Sequence, residues 1–187
     1  MIVCVIIVVL STIAIPQIQR ISTNYRIDAS GHAVASLLAQ ARLQAVHNNA
    51  PAYAQHSATT SPNMAFVNDD GTSAYVTGDP DVAISSSLKF QDPGALDHKQ
   101  LDTYLGVTGV AGGPSLKILT PVGFNARGLP CIQNGTPAVC LQQDGPAGPV
   151  PVFEWFMTDA NGNWEAVTVT AAGRIKAWRF TGQGSWQ

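Results

Sequence analysis

The sequence predicts an α+β protein in which a long N-terminal α-helix, kinked near Pro16, packs on a C-terminal antiparallel β-sheet domain. One observation behind this prediction is the apolar run Met1–Ile15, which continues into residues with helical spacing. The other is a change beyond Pro51 to short β-branched and aromatic runs, separated by Gly, Pro, Asn and Asp. The predicted divisions are an apolar segment at 1–16, an amphipathic helix at 17–50 and a β-rich domain at 51–187.

The composition narrows the class of protein. Only 12% of the 187 residues are charged, with 10 Lys and Arg against 12 Asp and Glu, so the chain has no global basic field. Nonspecific electrostatic capture of nucleic acid is therefore not expected, and contact with a polyanion would need a local patch. The apolar fraction of 45% supports a hydrophobic core and excludes a disordered chain, whereas three cysteines are too few for a disulfide scaffold.

The segment Met1–Ile15 contains thirteen apolar residues and no charged one, so water is not its expected surroundings. As a helix it is about 22 Å long, which is shorter than the ~30 Å hydrocarbon core of a bilayer. A cleaved signal peptide would carry a basic start and a small-residue cleavage site, and neither is found in this stretch. We therefore expect a retained segment, used either in assembly or as a simple membrane anchor.

The helical pattern continues after Pro16. Apolar residues recur at helical spacing until Asn48–Pro51, which supplies residues that end a helix. These apolar residues are Ile18, Ile21, Tyr25, Val34, Leu37, Leu38, Ala41 and Ala45. Pro16 lacks the N–H that would bond the carbonyl of Thr12, and its ring crowds that carbonyl. A kink or a local break is therefore expected at Pro16.

Strand patterns fill the chain beyond Pro51. The predicted strands are Ala52–Gln55, Met64–Val67, Ser73–Val76, Ser87–Phe90, Ser115–Leu119, Val152–Met157, Trp164–Thr170 and Arg174–Phe180. The clearest hairpin joins the sixth and seventh of these through Asn161–Gly162, a pair suited to the positive φ angles of a tight turn. The Asp and Asn residues of this turn also suggest a calcium loop, but no bidentate Glu follows at the required spacing. Turn chemistry is the favoured interpretation.

These features together resemble a type IV pilin or pseudopilin. The stretch Met1–Pro16 matches, without a gap, the family stretch Met-Ile-Val-Val-Ala-Ile-Ile-Gly-Ile-Leu-Ala-Ala-Ile-Ala-Ile-Pro, which belongs to the N-terminal methylation motif of prepilins. A basic leader, a cleaved glycine junction and an early glutamate precede this stretch in the family. Met1 would then correspond to an internal methionine of the family motif.

Three further segments are similar to the GspH/FimT-type minor pseudopilins. Val34–Asn49 is similar to that group's helix end, which has an Ala-Arg pair before a strand. Pro121–Gly128 is similar to its Phe-x-x-x-Gly strand and turn, and Val167–Arg174 to its closing valine-rich strand that ends in Gly-Arg. Residues 62–113 have no counterpart in the group.

The resemblance implies a structural subunit of a type IV pilus-like filament or of a type II secretion pseudopilus, which polymerises through its N-terminal helix. The implied partners are copies of the chain and other pilins, and no small-molecule substrate is implied. The implied location is the bacterial inner membrane before assembly, and afterwards an extracellular filament or a periplasmic pseudopilus. The residues of the filament core would be Ile2, Val3, Val5, Ile6, Ile7, Val9, Leu10, Ile13, Ile15 and Pro16.

Of the three cysteines, Cys131 and Cys140 are expected to form a disulfide. They close a short loop around Asn134–Gly135, and the resemblance places the domain in an oxidising compartment. Cys4 is expected to be a small apolar residue of the helix. The four histidines show no metal-ligand spacing, so the sequence predicts no metal and no cofactor.

The sequence offers no catalytic motif. It has no Gly-x-Ser-x-Gly, no phosphate-binding glycine loop and no His-Glu-x-x-His. Glu154 and Glu165 flank the predicted hairpin turn, where solvated side chains are expected rather than an acid/base pair. The chain is therefore predicted not to be an enzyme.

The last predicted strand is basic and aromatic. Alternation along a strand places Arg174, Lys176 and Trp178 on one face, and with Arg179 they form a strip that could bind phosphates and stack a base. The strip is similar to the Gly-Arg-x-Arg motif linked to DNA binding in FimT-type pilins, with Lys176 in place of the second arginine. The alternative function is thus a pilus-borne, DNA-binding minor pilin that acts in DNA uptake. The competing interpretation is a strand edge whose cations discourage aggregation.

Overall fold

The computed structural model describes residues 2–57, 63–68, 74–94, 96–107, 113–135, 138–144, 148–180 and 185–187. In the N-terminal helix, side chains are described at Ser22 and from Asn24 onward. The elements in chain order are α1 (Ile2–Asn48), β1 (Ala52–Ser57), β2 (Met64–Asn68), β3 (Asp81–Ala83), β4 (Leu88–Phe90), α2 (Lys99–Leu105), β5 (Ser115–Ile118), β6 (Val122–Phe124), β7 (Pro130–Asn134), β8 (Val139–Leu141), β9 (Pro151–Asp159), β10 (Trp164–Val169) and β11 (Ile175–Arg179).

The strands of the described ranges form two sheets. The six-stranded sheet has the order β3-β2-β1-β6-β7-β8, and all its neighbouring strands are antiparallel. The five-stranded sheet has the order β11-β10-β9-β4, which is also antiparallel. Its fifth strand, β5, pairs in parallel with the first half of β9, next to the site where β4 pairs with the second half.

The predicted fold class is wrong. The sequence predicts one long helix on one antiparallel sheet domain, whereas the structure has two sheets, a parallel strand pair and a second helix, α2. Helix α1 contacts strands of both sheets. The physical reason is the number of short strands, since eleven of them in one strongly twisted sheet would curl or split. Two sheets instead bury one apolar face each against the same helix.

The main hydrophobic core lies between α1 and the two sheets. Successive side chains of a strand point to opposite faces, so alternate strand residues enter this core. The helix contributes Ile27, Val34, Leu37, Leu38, Ala41 and Ala45, and the strands contribute Ala52, Ala54, Ala65, Val67, Val122, Phe124, Phe153, Trp155, Met157, Val167 and Val169 among others. The apolar residues that the sequence places at helical spacing over Val34–Ala45 therefore form the face of α1 that packs in the main core.

Helix α1 passes through Pro16 without interruption. It is a single element from Ile2 to Asn48, so the kink or break predicted near Pro16 does not divide it. Proline removes only its own N–H, and the hydrogen bonds of the residues on either side can carry a helix past it. The helix ends where the sequence predicts, because Asn49 adopts a positive φ of 50° just before Pro51.

The predicted hairpin is confirmed, and other strands were missed. Strands β9 and β10 pair antiparallel with Trp164 opposite Thr158, and Gly162 in the connecting turn has a φ of +78°. No strand covers the described part of Ser73–Val76, where the chain has a bend at Ala74 and no regular secondary structure at the two residues that follow. The strand patterns did not indicate β3, β7, β8 or α2, and β6 was indicated only by the resemblance of Pro121–Gly128 to a strand and turn.

A second, smaller core covers the opposite face of the five-stranded sheet. Helix α2 packs there with residues of β9, β10 and β11 and with the end of the chain. Its buried members are Leu101, Phe156, Ala166, Trp178 and Trp186. The five-stranded sheet is therefore buried on both faces, by α1 on one side and by α2 with the C-terminal residues on the other.

Candidate functional site

Arg42 joins three segments of the chain at the C-terminal end of α1. Its guanidinium Nη1 donates to the carbonyl of Gly173 at 3.0 Å. The backbone of Gly128 runs alongside, because a Cβ built there would lie 2.9 Å from the Arg42 Nε. Gly128 and Gly173 both adopt positive φ angles, +72° and +75°, so two tight turns lie side by side under the arginine.

The basic strip predicted from the sequence lies on β11 and the residue before it. Arg174 is exposed, Lys176 and Arg179 are half-buried, and Trp178 is only 6% exposed. The Lys176 ammonium lies 3.4 Å from the centroid of the Trp178 ring and 5.7 Å from that of Tyr104. Lys176 and Trp178 thus share a face, as strand alternation predicts, and they form a cation–π stack.

This stack limits what the strip can bind. The indole Nε1 of Trp178 donates to Thr168 Oγ1 at 2.9 Å, and its ring meets Tyr104 edge-on. A buried ring with a cation on its face has no free surface for a base. Arg174 is the exposed cation of the strip, and DNA binding through these residues stays a prediction.

The edge strand β11 is partly covered by the end of the chain. The backbone of Arg179 exchanges two hydrogen bonds with that of Gln187, at 2.9 and 3.0 Å, and Phe180 bridges to Trp186. These contacts pair the second half of the strand and leave fewer unpaired groups at its edge. Edge protection in β11 therefore comes from the backbone of the last residues as well as from cations.

Cys131 and Cys140, the two cysteines that the sequence pairs, are joined by a disulfide with a Cα–Cα separation of 5.3 Å. The bond links β7 to β8 at the end of the six-stranded sheet. Gly123 on the neighbouring β6 makes room for it, since a Cβ there would lie 2.6 Å from Cys131 Sγ and 2.9 Å from the Tyr53 ring. Cys4 lies outside the described side chains.

Replacing both Cys131 and Cys140 with Ser is expected to lower the free energy of unfolding by about 2–3 kcal/mol. The loop-entropy model gives this magnitude for a ring of about ten residues. Urea unfolding of the variant and of the oxidised wild type measures the difference. Adding a reductant should shift the wild type and leave the double variant unchanged, and a shift of both would mean that the effect does not come from this bond.

Glu154 and Glu165 are buried, which corrects the expectation that they are solvated. Their exposed fractions are 0% and 1%. Glu154 lies opposite Thr168 and faces α2, whereas Glu165 lies opposite Met157 and faces α1. Because they occupy opposite faces of the same sheet, they do not form a pair.

The pKa of each buried glutamate is raised. Burial, followed by repulsion from Asp102, raises the pKa of Glu154 to about 8. Burial, followed by repulsion from Asp28, raises the pKa of Glu165 to about 9, although Arg179 and the backbone N–H of Gly31 act in the opposite direction. Both shifts follow from the cost of holding a charge away from water.

Comparisons of the chain with family models, with curated proteins and with solved structures give no match. What the chain does must therefore be argued from its own residues.

The filament-core residues predicted from the sequence, Ile2 to Pro16, lie in the stretch of α1 whose side chains are outside the described residues. The backbone of this stretch is helical from Ile2. Among the residues described with their side chains, no helix combines the length and the apolar character needed to cross a membrane.

Proposed function

We propose that the chain is a structural subunit of a type IV pilus-like filament or of a type II secretion pseudopilus, and that it belongs to the pilin superfamily, close to the GspH/FimT-type minor pseudopilins. The observation that carries the proposal is the length of α1. The helix spans Ile2–Asn48, and its described core residues lie between Ile27 and Ala45. At ~1.5 Å per residue, about 37 Å of helix precede Ile27.

The composition of this preceding stretch gives the reason for assembly. Its first fifteen residues are almost all apolar and include no charge. Apolar helices lower their free energy when they pack on one another, and a contact repeated from copy to copy in one direction produces an open helical filament. Tyr25 and Leu43 are each 70% exposed and Val46 is 49% exposed, so apolar surface continues along the part of α1 that is packed on the sheets.

The contacts of Arg42 support the proposed superfamily. The three segments that are similar to the GspH/FimT-type group, Val34–Asn49, Pro121–Gly128 and Val167–Arg174, are distant in sequence. They meet at this one side chain, through Gly128 and Gly173. The three segments therefore contact one another in the folded chain, which gives a physical reason why all three are found together.

Val9→Glu is expected to abolish filaments in cells that produce the chain. A glutamate in the apolar stretch would place a charge where the proposed assembly buries side chains, at a cost of several kcal/mol. The matched control is Val76→Glu, because Val76 is 50% exposed in a loop of the β-rich part. Electron microscopy of sheared cell-surface and periplasmic material measures assembly, and immunoblots of membrane fractions measure the amount of subunit.

The proposal requires filaments from the wild type and from Val76→Glu, and their absence from Val9→Glu at equal subunit level. Filaments assembled by Val9→Glu would contradict it. A wild-type chain that stays in the membrane fraction without entering filaments, in a strain that makes them, would instead support the simple anchor.

A further inference from the structure

A carboxyl group without a hydrogen-bond partner among the described residues lies in the interior of the second core. Glu154 is in the middle of β9, opposite Thr168 of β10 and Ile118 of β5, and its side chain is 0% exposed. Neither of its carboxyl oxygens has a hydrogen-bond partner among the described residues. The hydroxyl of Thr168 is occupied, since it accepts from Trp178 and lies 3.4 Å from the carbonyl of Lys176. A buried polar group without a hydrogen bond costs about 1–3 kcal/mol unless something compensates it.

The side chains of His98 and Asp102, both of residue types that bind metal ions, lie beside the carboxyl group of Glu154. His98 Nδ1 lies 3.6 Å from Glu154 Oε2 and 3.3 Å from Asp102 Oδ1. The three donor atoms all lie within 4.8 Å of one another, and His98 Nδ1 and Asp102 Oδ1 also lack hydrogen-bond partners among the described residues. The separation of 3.6 Å is too long for a hydrogen bond between His98 and Glu154, so direct bonding does not explain the cluster.

We propose that His98, Asp102 and Glu154 bind a divalent transition-metal cation of the Zn²⁺ type. In a tetrahedral site with metal–ligand bonds of ~2.0–2.1 Å, neighbouring ligand atoms are about 3.3–3.4 Å apart. The two separations from His98 Nδ1, 3.3 and 3.6 Å, are close to this value, and all three donor atoms lie within 4.8 Å of one another. One cation would bind one donor atom from each of the three side chains, all of which lack hydrogen-bond partners among the described residues.

The donor set favours this class of cation over Ca²⁺ or Mg²⁺. Those ions prefer six or more oxygen ligands, whereas the cluster offers one imidazole nitrogen and two carboxylates. His98 and Asp102 are 24% and 21% exposed, so the cation has a route from solvent to the site. Three protein ligands leave a fourth position open for water or another small ligand.

The ligands are held in place by the end of the chain. The indole Nε1 of Trp186 donates to the carbonyl of Asp97 at 3.0 Å, directly before His98. The Gln100 side chain exchanges two hydrogen bonds with the backbone of Trp186, at 2.7 and 2.8 Å. These contacts fix the start of α2 against the sheet, so His98, directly before the helix, and Asp102, in its first turn, lie beside Glu154 before any cation binds.

Zn²⁺ binding by the full-length chain tests the proposal. After treatment with a chelator and its removal, titration calorimetry with ZnCl₂ should give a single ion per chain, and CaCl₂ should bind at least about 100-fold more weakly. Glu154→Gln and Asp102→Asn should each weaken Zn²⁺ binding by at least about 100-fold, because loss of even an outer-shell partner costs 10–100-fold. Asp102 is partly exposed, so its variant decides the question if Glu154→Gln does not fold.

His32→Gln is the matched control, because His32 and Asp28 form the same four-residue spacing on α1, exposed and 3.9 Å apart. This control should bind Zn²⁺ as the wild type does. The proposal is overturned if the wild type binds no Zn²⁺, if Asp102→Asn retains the wild-type affinity, or if His32→Gln loses as much affinity as Asp102→Asn.

Discussion

Gly31→Ala is expected to destabilise the protein by about 2–3 kcal/mol, although alanine is the better helix former. In the interior of a helix this substitution normally stabilises by roughly 0.5–1 kcal/mol. Here a Cβ on residue 31 would overlap the carboxyl group of Glu165. Glu165 is a residue of β10, and its side chain is 1% exposed and packs against α1, so its carboxyl group can make room only by displacing packed neighbours. Overpacking of this kind typically costs 1–3 kcal/mol, which outweighs the helix propensity.

The double variant Gly31→Ala with Glu165→Ala isolates the contact. If the clash is the cause, Gly31→Ala should cost at least about 1 kcal/mol less in the Glu165→Ala background, because the methyl group then enters the vacated space. Ser36→Ala, on an exposed position of the same helix, controls for propensity and should be neutral or slightly stabilising. A Gly31→Ala protein more stable than the wild type in urea unfolding would contradict the described position of Glu165.

Local features of the fold could be predicted from the sequence. The hairpin of β9 and β10 follows from alternation and from Asn161–Gly162, which all lie within 20 residues. The packed face of α1 follows from helical spacing. The division into two sheets could not be predicted, because it depends on which distant strands pair.

The buried glutamates show why the candidate sites were harder to predict. A glutamate beside a turn is usually exposed, so Glu154 and Glu165 were expected in solvent. Each is buried because a helix covers it, α1 over one and α2 over the other. Helix α2 lies in the stretch 62–113, which has no counterpart in the GspH/FimT-type group, and no helix was predicted there. The four-residue spacing of His98 and Asp102 is compatible with a metal site. The third residue of the cluster, Glu154, comes from a strand that is distant in sequence.

Trp178 illustrates the same limit. Alternation correctly places it on the face of Lys176, but its burial depends on Tyr104 and on the end of the chain. Those contacts join parts of the chain that no local pattern connects. The sequence therefore predicts a Trp178 ring that is free to stack on a base, whereas in the structure this ring is buried.

Glu165→Gln is expected to stabilise the protein at neutral and alkaline pH and to make its stability less dependent on pH. The pKa of Glu165 is about 9 in the folded protein, against an ordinary value of 4.5. Between these two pH values the folded state holds a proton that the unfolded state has lost. The stability that this proton represents is fully present below pH 4.5 and is lost as the pH rises to about 9. Glutamine is neutral at every pH, so the variant avoids this loss.

The size of the effect can be measured by urea unfolding between pH 5 and pH 9 in the presence of a chelator. Each pH unit in this window should separate the variant from the wild type by up to about 1.4 kcal/mol, with the variant the more stable. Some pH dependence should remain in the variant, because the pKa of Glu154 is raised to about 8. Asp144→Asn is the control: the pKa of the exposed Asp144 is lowered by Lys117 and Ser115, so its effect falls below this window. A Glu165→Gln protein with the wild-type slope would mean that Glu165 is ionised in the folded state, and that Asp28 and Arg179 do not act on it as the structure indicates.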